Sequence, residues 1–298
     1  MPTNLYLIRK QQLASVFEDT IAQIKQSEEW MSAIDYSIHN QQFIPESAII
    51  SISDMQKADK PANIIVSQLR SFEAAAQYIG KRTAVLNFAS ATNPGGGVEK
   101  GASAQEECLC RVSTLYPCLT DQKMRDSFYT PHRKHGNALH NDDIIYTPKV
   151  LIIKDDDHNM LAIPFLVDVI SCAAPNLREK PNNAYNSGDG NNVQISDNEL
   201  LALHEKRARK IFASAIANGV EVLILGAFGC GAFCNDPYVV ARAYKNVLPE
   251  FEQYFQTIEF AIYCRPADSI NYDAFSWEIL TKHCINAEKV VPLQKKIK

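Results

Sequence analysis

Positive charge is not in surplus in this sequence: 30 Lys and Arg face 34 Asp and Glu, for a formal net charge of -4. No overall basic field draws a polyanion in, so direct nucleic-acid binding is not expected. An anionic ligand has to be held by local devices such as backbone amides and helix ends. Long hydrophobic runs are missing too. No stretch reaches the roughly 18 apolar residues that span a bilayer, so no membrane association is expected. Met1 to Lys10 does not present basic, apolar and small-residue zones in the order of a signal peptide. The expectation is a cytoplasmic protein.

Metal-ligand spacing is also lacking. Cys108 and Cys110 are too close for a C-x2-C pair, and Cys230 and Cys234 sit in a Gly-rich turn with no second pair nearby. A disulfide framework does not suit a chain of this length without a leader. His132, His135 and His140 fall in a polar, turn-rich stretch and are expected to be solvated, with the eight cysteines as free thiols. No metal and no cofactor is expected.

What is present is an alternation of strand-like and helix-like segments. Gln11 to Gln26 carries Leu13, Val16, Phe17, Ile21 and Ile24 at a helical period, and opens a helical N-terminal extension over residues 1–60. Ile64–Val66 reads as a short strand, and Ser71 as the N-cap of an Ala-rich helix. Thr83 to Phe88 is a strand, and a helix is predicted from Ala104 to about Tyr116, where Pro117 should stop it. Val150–Ile153 and Phe165–Ile170 are strands, and Lys180 to Ser196 is an Asn/Gly/Ser-rich surface loop. Helix, strand, helix, strand and helix follow over Leu200–Asn218, Glu221–Phe228, Tyr238–Phe255, Ile258–Cys264 and Tyr272–Leu280. The lysines from Lys295 to Lys298 suggest a frayed tail. The fold class is α/β, a mixed sheet flanked by helices, with 61–298 as one catalytic domain.

Two glycine-rich turns leave strand ends. The first, Asn93-Pro94-Gly95-Gly96-Gly97, suggests positive φ angles or a ligand too close for a Cβ. Its successive amides can form an anion nest, although a loop without a ligand is an equal alternative. The second, Gly229-Cys230-Gly231-Ala232-Phe233, leads into a helix starting near Pro237, capped by Asp236 or Asn235. That helix end favours a phosphate. Phe233 either faces a sugar or base, or plugs the core. No Gly-Lys-Ser/Thr follows, so this is not a Walker loop, and no G-x-G-x-x-G follows the first strand. As a pair, the turns suit a diphosphate lying across the sheet edge.

Glu106 and Glu107 stand about ten residues past the triplet. Adjacent helical residues point about 100° apart, so the two are not expected to face one atom. Acidic residues at a helix start are common for electrostatic reasons alone. However, Gly95-Gly96-Gly97, seven residues, then Gln105-Glu106-Glu107 matches the GGG-X(6-8)-QEE signature of poly(ADP-ribose) glycohydrolases. The sequence resembles the bacterial-type branch of that family, which is built on a macrodomain. Asn93-Pro94, Ile144 to Pro148, Asp168 to Asn176 and the second turn with Asn235-Asp236-Pro237 extend the resemblance, from roughly Ile64 to Cys264.

The resemblance implies hydrolysis of ribose–ribose O-glycosidic bonds, releasing ADP-ribose from poly(ADP-ribose) or ADP-ribosylated protein, in the setting of a DNA damage response. It puts the catalytic acid on Glu107, and Glu106 on the ribose of the leaving side. Asn93 would orient the ribose being cleaved. Gly95, Gly96, Gly97 and Gln105, with Gly229, Cys230, Gly231, Ala232 and Phe233, would bind the substrate. Cys230 has no chemical task of its own. Two alternatives use the same scaffold: a mono-ADP-ribosyl hydrolase, and a macrodomain that binds ADP-ribose without cutting it.

Overall fold

The computed structural model describes residues 2–281. Two helices, α1 (Pro2–Gln26) and α2 (Glu28–Asn40), precede strand β1 (Gln42–Ile44). Next come β2 (Asn63–Ser67), α3 (Ser71–Ala76), β3 (Thr83–Phe88) and α4 (Gln105–Arg111). Short helices α5 (Leu115–Leu119), α6 (Gln122–Met124) and α7 (Thr130–His135) lead to the long strands β4 (Ile144–Lys154) and β5 (Met160–Cys172). The chain continues through α8 (Asp197–Ala217), β6 (Val222–Leu225), α9 (Pro237–Phe251), β7 (Thr257–Ala261) and α10 (Ile270–Leu280). The lysines from Lys295 to Lys298 lie outside the described residues.

All seven strands form one sheet in the order β1-β4-β5-β3-β6-β7-β2. β3 pairs in parallel with β5 and β6, β6 with β7, and β7 with β2, while β4 runs antiparallel to β5 and β1. The mixed, helix-flanked sheet expected from the sequence is present. β6 is apolar and buried along its whole length, and β3 nearly so, because both faces of the sheet are covered there. The pleat sends Leu86 and Leu223 into one core with Phe212 of α8 and Tyr244 of α9, and Val85 and Ile224 into the other with Phe17 of α1 and Leu109 of α4.

Three local expectations are corrected. Ser71 does not cap α3; Arg70 stands at that position, and its backbone N–H donates to Glu73 at 2.8 Å. The helix expected to reach Tyr116 ends at Arg111, where the chain leaves to pair with β4: Ile153 N donates to the Val112 carbonyl, and Thr114 N to that of Leu151. Pro117 then lies in the first turn of α5, where its missing N–H has no intrahelical acceptor to serve. Finally, His132 and His140 are buried rather than solvated, and of the three His135 alone is exposed.

The first sixty residues are tied into this sheet. β1 forms its edge, Ser37 of α2 donates to the Lys149 carbonyl, and fully buried Arg111 donates from Nε to the Leu13 carbonyl of α1 at 3.0 Å.

Candidate active site

β3 ends at Phe88, and the turn that follows folds back over the start of α4. Gln105 makes that fold possible. Its Oε1 accepts from Phe88 N at 2.9 Å, and its Nε2 donates to the Leu86 carbonyl and to Ser71 Oγ. Gln105 borders the cleft, yet its amide is spent on protein, so it acts as a strut between helix and strand.

The two glutamates are buried and, against expectation, converge. A Cβ on Gly96 would lie 2.4 Å from Glu107 Oε1 and 3.2 Å from Glu106 Oε2. Gly96 has φ +59°, so its conformation and its surroundings both favour glycine. The 100° between neighbouring side chains is closed because the loop passes over both. Glu106 accepts from Ser90 N at 2.8 Å and from Asn87 Nδ2 at 3.3 Å. Burial first, then the charge of Glu107, pushes its carboxyl well above the usual carboxylate range, against the pull of those donors. Glu107 Oε1 accepts from Gly97 N at 2.9 Å. Its Oε2 receives no hydrogen bond from the described residues and is the carboxyl oxygen left for a ligand.

Asn93 is placed differently. Its Nδ2 donates to the Tyr185 carbonyl and its Oδ1 accepts from Arg133 Nη2 at 3.0 Å, so it fastens the turn to the loop after β5 and to α7. It is not among the residues bordering the cleft. That loop brings in two residues the sequence did not single out. Asn186 Oδ1 accepts from Ser90 Oγ at 2.9 Å, and a Cβ on Gly97 would lie 2.3 Å from the ring of Tyr185.

The second turn leaves β6 and enters α9, where Asp236 is the cap, accepting from Tyr238 N and Val239 N. Asn235, its alternative, is buried and holds the turn's shape: Nδ2 donates to the carbonyls of Pro175, Gly229 and Phe233, while Oδ1 accepts from His204 Nε2 at 2.8 Å. Burial lowers the His204 pKa to about 4. A Cβ on Gly229 (φ +81°) would meet Ala174 at 2.7 Å, whereas Gly231 faces open space. Ala232 and Phe233 border the cleft; Cys230 packs against the core, and burial raises its thiol pKa. Phe233 is half-buried, 5.9 Å from the His140 ring, with the Arg178 guanidinium 5.3 Å from its centre. Arg178 Nη2 is buried without a hydrogen-bond partner.

Between the turns lies a cleft of about 850 Å³, which the glutamates border. Arg9, Lys10, Arg70, Arg111, Arg178 and Arg265 border it against four carboxylates, Glu106, Glu107, Asp156 and Asp157. Local charge thus supplements the backbone amides expected to hold an anion. These cations come from distant segments, so no local motif announces them. No helix of the described residues is long and apolar enough to cross a membrane.

The chain is similar to poly(ADP-ribose) glycohydrolases of bacteria. The family model for the microbial-type PARG catalytic domain matches residues 11–155, a match that begins well before Ile64. The glycohydrolase from Thermomonospora curvata superposes with a TM-score of 0.78 at 26% identity, over 90% of this chain and 99% of that one. The same enzyme bound to the inhibitor ADP-HPD gives 0.76, at 26% identity over the same shares. The glycohydrolase from Deinococcus radiodurans in complex with ADP-ribose gives 0.70 at 31% identity, over 83% of this chain and 97% of that one. Comparison with curated proteins returns no match.

Proposed function

The chain belongs to the microbial-type poly(ADP-ribose) glycohydrolase family, and from that premise we propose how its own residues cut the polymer. It is a glycoside hydrolase acting on poly(ADP-ribose) on a macrodomain-like fold. Glu107 is the general acid. The observation that carries this is the division of labour within its carboxyl group: Oε1 is fixed by the Gly97 amide and Oε2 is unengaged.

The bond to be broken joins C1 of the terminal unit's distal ribose to a ribose hydroxyl oxygen of the next unit. Glu107 Oε2 gives its proton to that oxygen as the C–O bond breaks, and charge develops on the sugar as an oxocarbenium ion. A water adds to C1, and its proton returns to the Glu107 carboxylate. Glu106, held by Ser90 and Asn87, sits beside the acid and accepts from a ribose hydroxyl. Acid catalysis needs Glu107 protonated in the complex.

The diphosphate lies between Gly95–Gly97 and Gly229–Phe233, with the α9 N-terminus adding favourable potential. Phe233, held between His140 and Arg178, packs on the distal ribose. Gln105 and Asn93 act as positioning residues, since their amides are already bonded within the protein.

The test is ADP-ribose release from polymer by wild type and Glu107→Gln, alongside calorimetric binding of ADP-ribose. Loss of a general acid lowers kcat by about a hundredfold to ten-thousandfold while binding stays within a few-fold. A variant that retains full turnover removes Glu107 from the role, and a wild type that binds ADP-ribose but cuts nothing makes the protein a reader.

A further inference from the structure

The cleavage scheme gives the terminal unit a place and leaves a group of side chains beside Glu107 without a task. Tyr185 is at its centre. Lys10 of α1 hydrogen-bonds through Nζ to the Tyr185 hydroxyl and stands 4.7 Å from the centre of its ring. Lys100, in the short turn after the glycine triplet, lies 5.9 Å from the same ring, with Nζ bonded to the Ala184 carbonyl at 3.3 Å. Tyr6, one turn before Lys10, offers a second ring 5.0 Å from the Lys10 ammonium and is 60% exposed. Arg9 borders the cleft next to them.

Arg9, Lys10 and Lys100 form no ion pair with a carboxylate among the described residues, although acidic residues outnumber basic ones in the chain. A lysine carries three donors, so Lys10 keeps one after bonding Tyr185 and Tyr6. The bonds to Tyr185 and Tyr6 raise its pKa, which keeps it charged. The cluster is built onto the turn that fixes the acid. The Tyr185 ring packs on Gly97, whose amide holds Glu107, and Gly101 packs so closely on α1 that a Cβ there would lie 1.9 Å from the Lys10 carbonyl oxygen. Gly229 of the second turn packs instead on Ala174 and Asn235.

We propose that Tyr6, Arg9, Lys10, Lys100 and Tyr185 form the subsite for the polymer-side nucleotide, the purine and diphosphate of the unit that leaves. The subsite rests on the glycohydrolase reading above. The leaving oxygen belongs to the adenosine ribose of the next unit, so that unit's base and diphosphate lie within one nucleotide's length of Glu107 Oε2. Aromatic faces flanked by cations suit both parts: the rings stack on a base of any identity, and the cations neutralise phosphate in a salt-dependent way.

The experiment uses two substrates cut at the same kind of bond: poly(ADP-ribose), and an ADP-ribosyl O-glycoside whose leaving group is a simple alcohol. The Lys10→Ala/Lys100→Ala double variant loses about tenfold in kcat/KM on polymer and less than about twofold on the alcohol glycoside. Its affinity for free ADP-ribose, measured by calorimetry, stays within about twofold. Raising salt from about 50 to about 300 mM weakens the wild type on polymer more than the variant. Lys100→Ala alone, a truncation of an exposed side chain, shows the same selectivity at about threefold, which guards against a folding artefact. If the two substrates fall together, or the variant keeps its preference for polymer, the subsite is wrong while the cleavage scheme stands. A wild type inactive on both substrates overturns the glycohydrolase reading and the subsite with it.

Discussion

At position 106 a carboxyl group has been taken out of water and given amide donors, and the burial wins. A carboxyl whose folded pKa is raised binds protons more tightly folded than unfolded. Stability therefore falls as pH rises from its unfolded value of 4.5 through the raised one, and the ionised group is a cost above that. Glu106→Gln keeps an acceptor for Ser90 N without the charge. The variant should melt a few degrees above wild type near neutral pH, with the gap closing toward about pH 4; thermal melts across that range check it, and a pH-independent gap refutes the cause. Gly96→Ala tests the same pocket sterically. Its Cβ would lie 2.4 Å from Glu107 Oε1 at a φ of +59°, so about 1–3 kcal/mol of stability and about a hundredfold or more in kcat should be lost. Ala at Gly231, which has nothing within 4 Å, should do far less, and steady-state kinetics on the two variants separates clash from loop chemistry. The residues that converge here were legible in the sequence through the resemblance to a family signature, with seven residues between Gly97 and Gln105, whereas helix geometry alone set the two glutamates apart. The parts played by Gln105 and Asn93 were not, since spacing does not say whether an amide points at a ligand or at a carbonyl.

Between elements, the second turn depends on a contact from α8. His204 is buried and donates from Nε2 to Asn235, which in turn gathers three carbonyls of the turn. With its folded pKa near 4 and an unfolded value near 6.5, the unfolded chain binds the extra proton in between. Stability from the neutral ring is complete above about pH 6.5 and is lost as pH falls toward 4, by about 3 kcal/mol in all. His204→Gln, which keeps an N–H donor but does not titrate, should flatten the stability curve across that window in urea titrations; an unchanged slope would clear His204 of the acid sensitivity. Sequence reading placed the α9 cap and the turn but offered Asn235 only as an alternative to Asp236. The Asn235–His204 bond spans 31 residues, and periodicity carries no record of such a contact. The same holds for α4: its end at Arg111 is set by backbone pairing with β4, a tertiary event that overrides helix propensity.

Across the whole molecule, the open question is whether the first sixty residues are an appendage or part of one folding unit. Their periodicity revealed the helix but not what its buried face meets. Phe17 belongs to the core with Val85 and Ile224, and Ile24 and Ile34 close a smaller cluster over Cys118 and Ile153. Two buried cations also depend on them: Arg111 uses the Leu13 carbonyl, and Lys154 donates to Asp19 at 2.6 Å and to Thr20 at 2.9 Å. Without α1, Lys154 loses both of these partners, and Arg111 loses one acceptor while keeping the Ala102 carbonyl. We therefore expect one cooperative transition. The chain has two tryptophans, Trp30 in α2 and Trp277 in α10, so Trp277→Phe and Trp30→Phe variants report the two ends separately. Their fluorescence midpoints in urea should coincide with each other and with far-ultraviolet circular dichroism. Deleting residues 2–26 should lower the midpoint sharply and remove α1's share of the cleft. If Trp30 instead melts well before Trp277, the helices dock on a catalytic unit that stands without them, and the polymer-side subsite would be a movable wall of the cleft.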